Sequence, residues 1–257
     1  MKKPKAILTF DLEFWYNSKF LEKHLIIENE DNDNDYIKES IESLIDLLKR
    51  YNQKATFFVL GKVAKKYPEI IKKIYEADHE IASHGYSHTI LEKLGPDKFE
   101  QEILKTNKII EEIINQKIIG FRAPNFSINK KTKWALKTLK KHNFQYDSSI
   151  HPLSFKRTLN NSSVIELPPS LGGVYFRLLP LKLYVDLIKL FKKTKIPITY
   201  FHPNELFESA PQIEYGPWWK KKIKYFGTKN AFVKFEKLLK EFNFISIKQY
   251  INENPIN

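Results

Sequence analysis

The chain has 257 residues, 42% of them hydrophobic, which is enough for one large domain with its own core. It contains no cysteine, which excludes disulfides, thiolate zinc sites and a cysteine nucleophile. The formal net charge of +13 comes mainly from lysines scattered over predicted helix surfaces, so we do not expect nucleic acid as a partner. We predict a single domain over residues 1–257.

The amino-terminal segment has none of the apolar character of an export signal. Met1-Lys2-Lys3-Pro4 is basic, but the apolar run that follows covers only residues 6–10. No stretch of the sequence is long and apolar enough to predict a membrane-spanning helix. We therefore expect a cytoplasmic protein.

Apolar runs alternate with segments of helical spacing along the whole chain. The predicted strands cover residues 6–10, 54–60, 80–83, 118–121, 164–167, 196–201 and 245–247. The predicted helices cover residues 36–51, 67–77, 96–115, 130–142, 181–193 and 230–242, and residues 154–163 and 208–222 are predicted loops. Strands that alternate with helices indicate an α/β fold with parallel strands.

The first predicted strand is followed by two carboxylates, and the third is followed by two histidines. Asp11 and Glu13 follow the first strand, and strand alternation points both carboxylates the same way. His84 and His88 are four residues apart, but Gly85 breaks any helix between them, so they lie on a strand-end loop. Two imidazoles and one carboxylate leave metal positions open for water and substrate, which is the catalytic rather than the structural pattern. The combination predicts a hydrolase.

Two further strand ends carry Arg122 and His202. Taken alone, each of these motifs has an ordinary explanation, such as a solvated turn, a core histidine or a surface charge. Barrels of the strand–helix type, however, collect catalytic groups at the carboxyl ends of their strands. The imidazole of His202 suits proton delivery to an amine, because the ordinary pKa of histidine is about 6.5. Pro124 and the aromatic residues near it indicate that the guanidinium of Arg122 is fixed, partly buried and paired with a carboxylate.

Seven segments, in this order, resemble the polysaccharide deacetylases (carbohydrate esterase family 4, with a NodB-like domain), most closely the branch near exopolysaccharide and lipid-linked glycan biosynthesis. The segments are 9–13, 55–61, 80–88, 120–126, 146–149, 172–180 and 200–205. The resemblance implies a distorted (β/α) barrel of about seven parallel strands. It also implies hydrolysis of N-acetyl groups on amino sugars with a divalent metal, for which we expect Zn²⁺.

The resemblance implies a role for each strand-end group. Asp11 would be the general base, oriented by Arg122, and His202 would be the general acid. The expected metal ligands are Glu13, His84 and His88. The expected saccharide contacts within the matching segments are Phe126, Asp147 and Tyr175.

Three positions depart from the family pattern. Leu12 separates the two carboxylates of the first motif, where the more familiar form has adjacent aspartates. Asp147-Ser148-Ser149 lacks the Asp-Trp pair that tunes the acid histidine in many relatives, and Asn204 stands where the close branch has tryptophan. A related group without metal hydrolyses cyclic ureide-type amides. Two alternatives therefore stay open: a deformylase or other small-amide hydrolase on the same scaffold, and a non-catalytic glycan-binding module.

Trp218 and Trp219 lie in a predicted Pro-flanked loop, directly before three lysines. Such tryptophans anchor proteins at lipid headgroups or stack on sugar rings, so both are candidate substrate contacts. Residues 178–195 combine apolar residues with lysines, but a barrel helix that buries its apolar stripe gives the same pattern. Both segments would be explained if the substrate were a saccharide linked to a polyprenyl lipid and the protein bound it at the inner face of a membrane. The oligomeric state stays open.

Overall fold

The structure, a computed structural model, describes residues 3–17, 35–150, 164–190, 196–207 and 218–255. The predicted loop at 154–163 lies outside these residues, as do the first ten residues of the predicted loop at 208–222. The last three residues of the predicted helix at 181–193 also lie outside them.

The described strands form one parallel, eight-stranded sheet. They are β1 Lys5–Leu12, β2 Thr56–Val59, β3 Glu80–Ser83, β4 Gly120–Phe121, β5 Tyr146–Asp147, β6 Ile165–Glu166, β7 Ile198–Phe201 and β8 Asn243–Ile245. Their order is β6-β5-β4-β3-β2-β1-β7, and β8 pairs with the start of β1. The N–H of Ser170, beyond β6, donates to the carbonyl of Ile198 in β7 over 2.7 Å. This bond brings the two ends of the sheet together, and the prediction of a distorted α/β barrel is confirmed.

Helices follow the strands along the chain, and the last of them packs through Ile247 with Ile7 and Tyr146. They are α1 Tyr36–Arg50, α2 Gly61–Lys66, α3 Pro68–Glu76, α4 Leu91–Ile114, α5 Trp134–Lys141, α6 Gly173–Leu178, α7 Leu181–Leu190, α8 Trp218–Tyr225, α9 Ala231–Leu238 and α10 Ile247–Glu253. Among the residues just described, no helix is both long enough and apolar enough to cross a bilayer.

The predicted loop at 208–222 is wrong from Trp218 onwards, because α8 begins there. Neither glycine nor proline interrupts the sequence until Gly227, whose φ of 75° ends this helical segment. The prediction also missed α2 and α6, which have six residues each and are too short for a clear helical period. The helix predicted to start at residue 96 starts at Leu91, with a break at Gly95.

The alternation of side chains along β1 decides what faces the helices and what faces the barrel interior. Leu8 and Phe10 belong to the core between sheet and helices, where Phe10 stacks on Phe57 with ring centroids 5.0 Å apart. Ile7 points the other way and packs with Tyr146 inside the barrel. Residues of the same parity as Ile7 therefore point into the barrel, and Asp11 is one of them.

Replacing Phe10 with alanine should lower the free energy of unfolding by about 3–5 kcal/mol, because the ring is fully buried among other rings that cannot collapse into the space. Leu104→Ala, at a position 46% exposed on α4, is the matched control and should cost about 0.5 kcal/mol or less. Urea denaturation measures both values. Equal losses in the two variants would contradict this placement of the core.

Candidate metal centre and active site

Glu13, His84 and His88 meet at the carboxyl edge of the barrel. Glu13 Oε2 lies 2.5 Å from His88 Nε2 and 3.5 Å from His84 Nε2. One ligand atom from each residue lies within 4.8 Å of the other two, and all three side chains are buried. The structure thus brings together the three residues that the sequence predicts as metal ligands.

The hydrogen bond of His84 assigns its tautomer. His84 Nδ1 lies 2.8 Å from the carbonyl oxygen of Arg122, which can only accept, so Nδ1 carries the proton. Nε2 then presents its lone pair towards Glu13. Metal-binding histidines typically have this arrangement, in which the second ring nitrogen is tied to a carbonyl.

Glu13 has the properties of a metal ligand. Burial would raise the pKa of its carboxyl group, but the charges of His88 and His202 hold that pKa well below its ordinary value. Although Glu13 Oε2 is buried, it makes no hydrogen bond among the described residues, and its approach to His88 lacks hydrogen-bond geometry. An ionised oxygen left without a hydrogen bond is costly, and a divalent ion between it and the two imidazoles would satisfy it. The three residues therefore fit a divalent metal.

Asp11 is held by a fully buried arginine. Arg122 Nη1 lies 2.6 Å from Asp11 Oδ1 and also donates to Thr9 Oγ1 over 2.9 Å. On its other side the guanidinium donates to the carbonyl and hydroxyl oxygens of Ser148, and its carbon lies 4.0 Å from the ring centroid of Phe58. With Oδ1 engaged, Asp11 presents Oδ2 towards the cleft.

His202 follows β7 and faces the same space. Its Nε2 lies 3.8 Å from Asp11 Oδ2 and 3.6 Å from Glu13 Oε1, and its side chain is 27% exposed. Its Nδ1 lies 3.1 Å from Glu205 Oε2, which also accepts the backbone N–H of His202 over 3.0 Å. Burial would lower the pKa of His202, but the charges of Glu13, Glu205 and Asp11 raise it to about 10.

Arg177 and the backbone of Gly173 hold the side chain of Glu205 in place. Its Oε1 lies 3.7 Å from Arg177 Nη2, and Arg177 Nη1 donates to the carbonyl of Phe226 over 2.6 Å. Burial would raise the pKa of Glu205, but the bond to His202 and the charges of His202 and Arg177 lower it. The carboxylate also lies against the backbone of Gly173, where a Cβ would come within 2.0 Å of it. His202 is thus oriented by an ionised carboxylate.

Sequence reasoning missed Glu205 and Arg177. The spacing His202-x-x-Glu205, on a turn opened by Pro203, was the available signal, because residues three apart on a helical turn face each other. Nothing in the local sequence around Arg177 indicates its distant partner.

The remaining predicted site residues lie in different surroundings. Asp147 is fully buried and accepts a hydrogen bond from Ser149 Oγ, which in turn accepts the N–H of Ala123. This placement does not support a direct saccharide contact, because the side chain is fully buried and, through Ser149, braces the segment after Arg122. Burial and the nearby Asp147 carboxyl raise the pKa of Glu166 well above its ordinary value.

Phe126 and Tyr175 lie at partly buried positions, and Phe126 packs edge-on against Tyr200 with ring centroids 5.1 Å apart. Trp218 and Trp219 are 74% and 47% exposed on α8. The four aromatic side chains therefore remain candidates for contact with a ligand or surface, although no contact between the tryptophans and the metal cluster is described.

The barrel is shared with solved structures of carbohydrate esterase family 4. A candidate polysaccharide deacetylase from Mycobacterium smegmatis is 19% identical, with 98% of this chain and 90% of that chain aligned at a TM-score of 0.65. A pseudoenzyme of carbohydrate esterase family 4 from Bacillus anthracis is 18% identical, with 96% of this chain and 65% of that chain aligned at a TM-score of 0.56. These likenesses define the fold class.

The polysaccharide deacetylase family matches residues 1–146, more than half of the chain, and the protein belongs to this family. A domain of unknown function, DUF3473, matches residues 141–252. A peptidoglycan-N-acetylglucosamine deacetylase from Bacillus cereus is 39% identical over 93 residues, which are 36% of this chain and 34% of the relative. The chain spans only about a third of the length of that curated relative.

We expect Glu205→Gln to lower the pKa of His202 from about 10 in the metal-free protein, because the amide removes a neighbouring negative charge. Because the pKa is raised on folding, protonated His202 stabilises the folded state. That stability is fully present below pH 6.5, the ordinary pKa of histidine, and is lost as the pH rises through about 10. An NMR titration of the imidazole measures the change, with His142 as the internal control. An unchanged pKa would show that Glu205 does not act on His202.

Proposed function

We propose that the protein is a metal-dependent deacetylase that hydrolyses the N-acetyl group of an amino sugar in a glycan. The observation that carries the proposal is that the candidate acid, the candidate base and a candidate metal ligand face the same space. His202 Nε2 lies 3.6 Å from Glu13 Oε1, a cluster ligand, and 3.8 Å from Asp11 Oδ2. A candidate acid, a candidate base and a candidate metal centre are therefore close enough to act on one bond.

Glu13, His84 and His88 would hold the ion, and two imidazoles with one carboxylate favour Zn²⁺ in a catalytic site. A divalent ion bound there would polarise the acetyl carbonyl and acidify water. His84 needs no change of tautomer for this role, because its Nδ1–H already donates to the carbonyl oxygen of Arg122.

Asp11 would accept the proton of the attacking water. Arg122 holds Oδ1 at 2.6 Å and fixes the carboxylate plane, which leaves Oδ2 for proton transfer. Arg122 is a positioning residue in this scheme, because it is fully buried behind Asp11 and does not face the cleft.

His202 would donate a proton to the departing amine. A neutral amine is a far better leaving group than its anion, so amide cleavage needs an acid at the nitrogen. Glu205 binds Nδ1 and leaves Nε2 directed at the space above Asp11. The carboxylate of Glu205, 3.1 Å from Nδ1, favours the protonated form that this step requires.

The proposed substrate class is an N-acetylated glycan, supported by family membership and by the Bacillus cereus relative, whose name specifies N-acetylglucosamine of peptidoglycan. Phe126 and Tyr175 would contact the sugar. A non-catalytic glycan-binding module is the second candidate, because a pseudoenzyme shares this fold. The presence of the candidate base, acid and three metal ligands together favours the enzyme.

The purified protein should release acetate from an N-acetylglucosamine oligomer, lose this activity to a chelator and regain it when Zn²⁺ is added back. His84→Ala should lose the metal, because it removes one of three ligands. Asp11→Asn should retain the metal yet lower kcat about 10²–10⁴-fold. Elemental analysis and acetate release are the measurements.

His202→Ala separates the acid from the base in the same assay. It should retain metal and lose amide hydrolysis but spare an activated acetate ester, whose leaving group needs no proton. Equal losses on amide and ester would contradict the role of His202. A protein that binds glycan but releases no acetate with metal present would be a binding module.

We also propose that the enzyme acts on a polyprenyl-linked sugar at the inner, anionic face of a membrane. Trp218 is 74% exposed on α8, and Lys222 Nζ lies 5.9 Å from its ring centroid. Leu190 and Phe226, also in the carboxyl-terminal half, are 74% and 49% exposed. Exposed aromatics beside lysines suit a headgroup layer of negative charge.

Replacing Trp218 and Trp219 with alanine should weaken co-sedimentation with anionic vesicles and slow turnover of a polyprenyl-linked sugar, while turnover of a water-soluble one is unchanged. Binding should fall with salt, because each lysine near the surface contributes about 1 kcal/mol that salt screens. Val233→Ala, at a 54% exposed position on α9, is the control. Loss on both substrates with vesicle binding intact would assign the tryptophans to sugar stacking instead.

A further inference from the structure

The loop that carries His88, residues 85–88, is bound by α2 through its carbonyl groups. We call these four residues the ligand loop. The N–H of Gly61 donates to the carbonyl of Gly85 over 2.8 Å, and the N–H of Lys62 donates to that of Tyr86 over 3.3 Å. A Cβ at Gly61 would come within 2.5 Å of the Tyr86 ring, so the close approach of loop and helix needs glycine there.

The N–H groups of the same loop are bound by α4 through one side chain. Glu102 Oε2 accepts the backbone N–H groups of Tyr86 and Ser87, both over 3.2 Å. Glu102 Oε1 accepts the hydroxyl of Ser87 over 2.5 Å. One half-buried carboxylate thus binds the three donors that directly precede His88.

The backbone of the ligand loop is left-handed at both ends, and it is strained at His88. Gly85 has a φ of 75° and His88 a φ of 65°, so both lie in the left-handed region. A side chain in that region costs about 1–3 kcal/mol, which surrounding contacts must offset. The bonds to Glu102 fall between these two positions, where they hold the turn that directs His88 Nε2 towards Glu13, 2.5 Å away.

We propose that Glu102 is a positioning residue of the metal centre, which preorganises the ligand loop so that His88 binds the ion together with Glu13 and His84. Glu102 has no described contact with the three ligands and acts through the backbone. The inference rests on the proposed metal centre. It adds a residue that lies outside the cluster and on which the metal affinity of the cluster depends. Partners of this kind, one step removed from the ion, are worth about 10–100-fold in metal affinity.

The test compares three variants of α4 by Zn²⁺ affinity, measured by competition with a chromophoric chelator. Glu102→Ala should raise the Kd about 10–100-fold. Glu102→Gln keeps an oxygen for the two N–H groups and should recover most of the affinity. Glu100→Ala is the matched control: it lies two residues away, and its carboxylate pairs with Lys141 and His142, far from the loop, so its Kd should equal that of wild type.

Thermal unfolding of the metal-free proteins separates positioning from general damage. The midpoints of Glu102→Ala and Glu100→Ala should be similar, because each variant replaces a half-buried glutamate, together with its polar contacts, by a good helix former. A wild-type Kd in Glu102→Ala, or an equal loss in Glu100→Ala, would overturn the proposal and leave the metal centre standing. A wild-type protein that binds no Zn²⁺ would overturn the proposed metal centre, and the role of Glu102 with it.

Discussion

The buried ion pair of Arg122 and Asp11 is the constraint on which the rest of the site depends. A guanidinium removed from water is tolerated only when its donors are satisfied, and here they bind Asp11, Thr9 and Ser148. The Ser148 hydroxyl in turn donates to the carbonyl of Leu167 over 2.7 Å, beyond β6. One side chain therefore links the end of β1 to the ends of the strands across the barrel. Removing one partner of such a pair typically costs about 3–5 kcal/mol.

The active site draws on both matched segments of the chain. The candidate base and the three metal ligands lie in residues 1–146, whereas the candidate acid His202 and its partner Glu205 lie in residues 141–252. Strands from both segments join in one sheet. β1, from the first segment, pairs with β2 of the same segment on one side and with β7 of the second segment on the other. The prediction of one domain over residues 1–257 stays a prediction. The continuous sheet supports it, since neither segment alone completes the barrel.

The sequence predicted the site best where chemistry follows a buried strand. Asp11, Glu13 and His202 could be placed because alternation sets the direction of a side chain and parallel strands end at one edge. The strand β5 was missed because two residues carry no period. Glu102 and Arg177 could not be assigned, since helical spacing shows which residues share a face but not which distant backbone group or carboxylate they meet. Trp218 was misplaced because a run of lysines resembles a solvated loop.

The pairing of β8 with the beginning of β1 sets where the two ends of the described chain lie. Asn243 is opposite Lys5 in the sheet, and Lys5 Nζ lies 2.6 Å from Glu253 Oε2. Both ends are thus at the amino edge of the barrel, while Asp11, His84 and His202 occupy the carboxyl edge. Any polypeptide or surface tether joined at either end departs from the back of the molecule. The carboxyl edge, with the candidate site, lies on the opposite side and stays free.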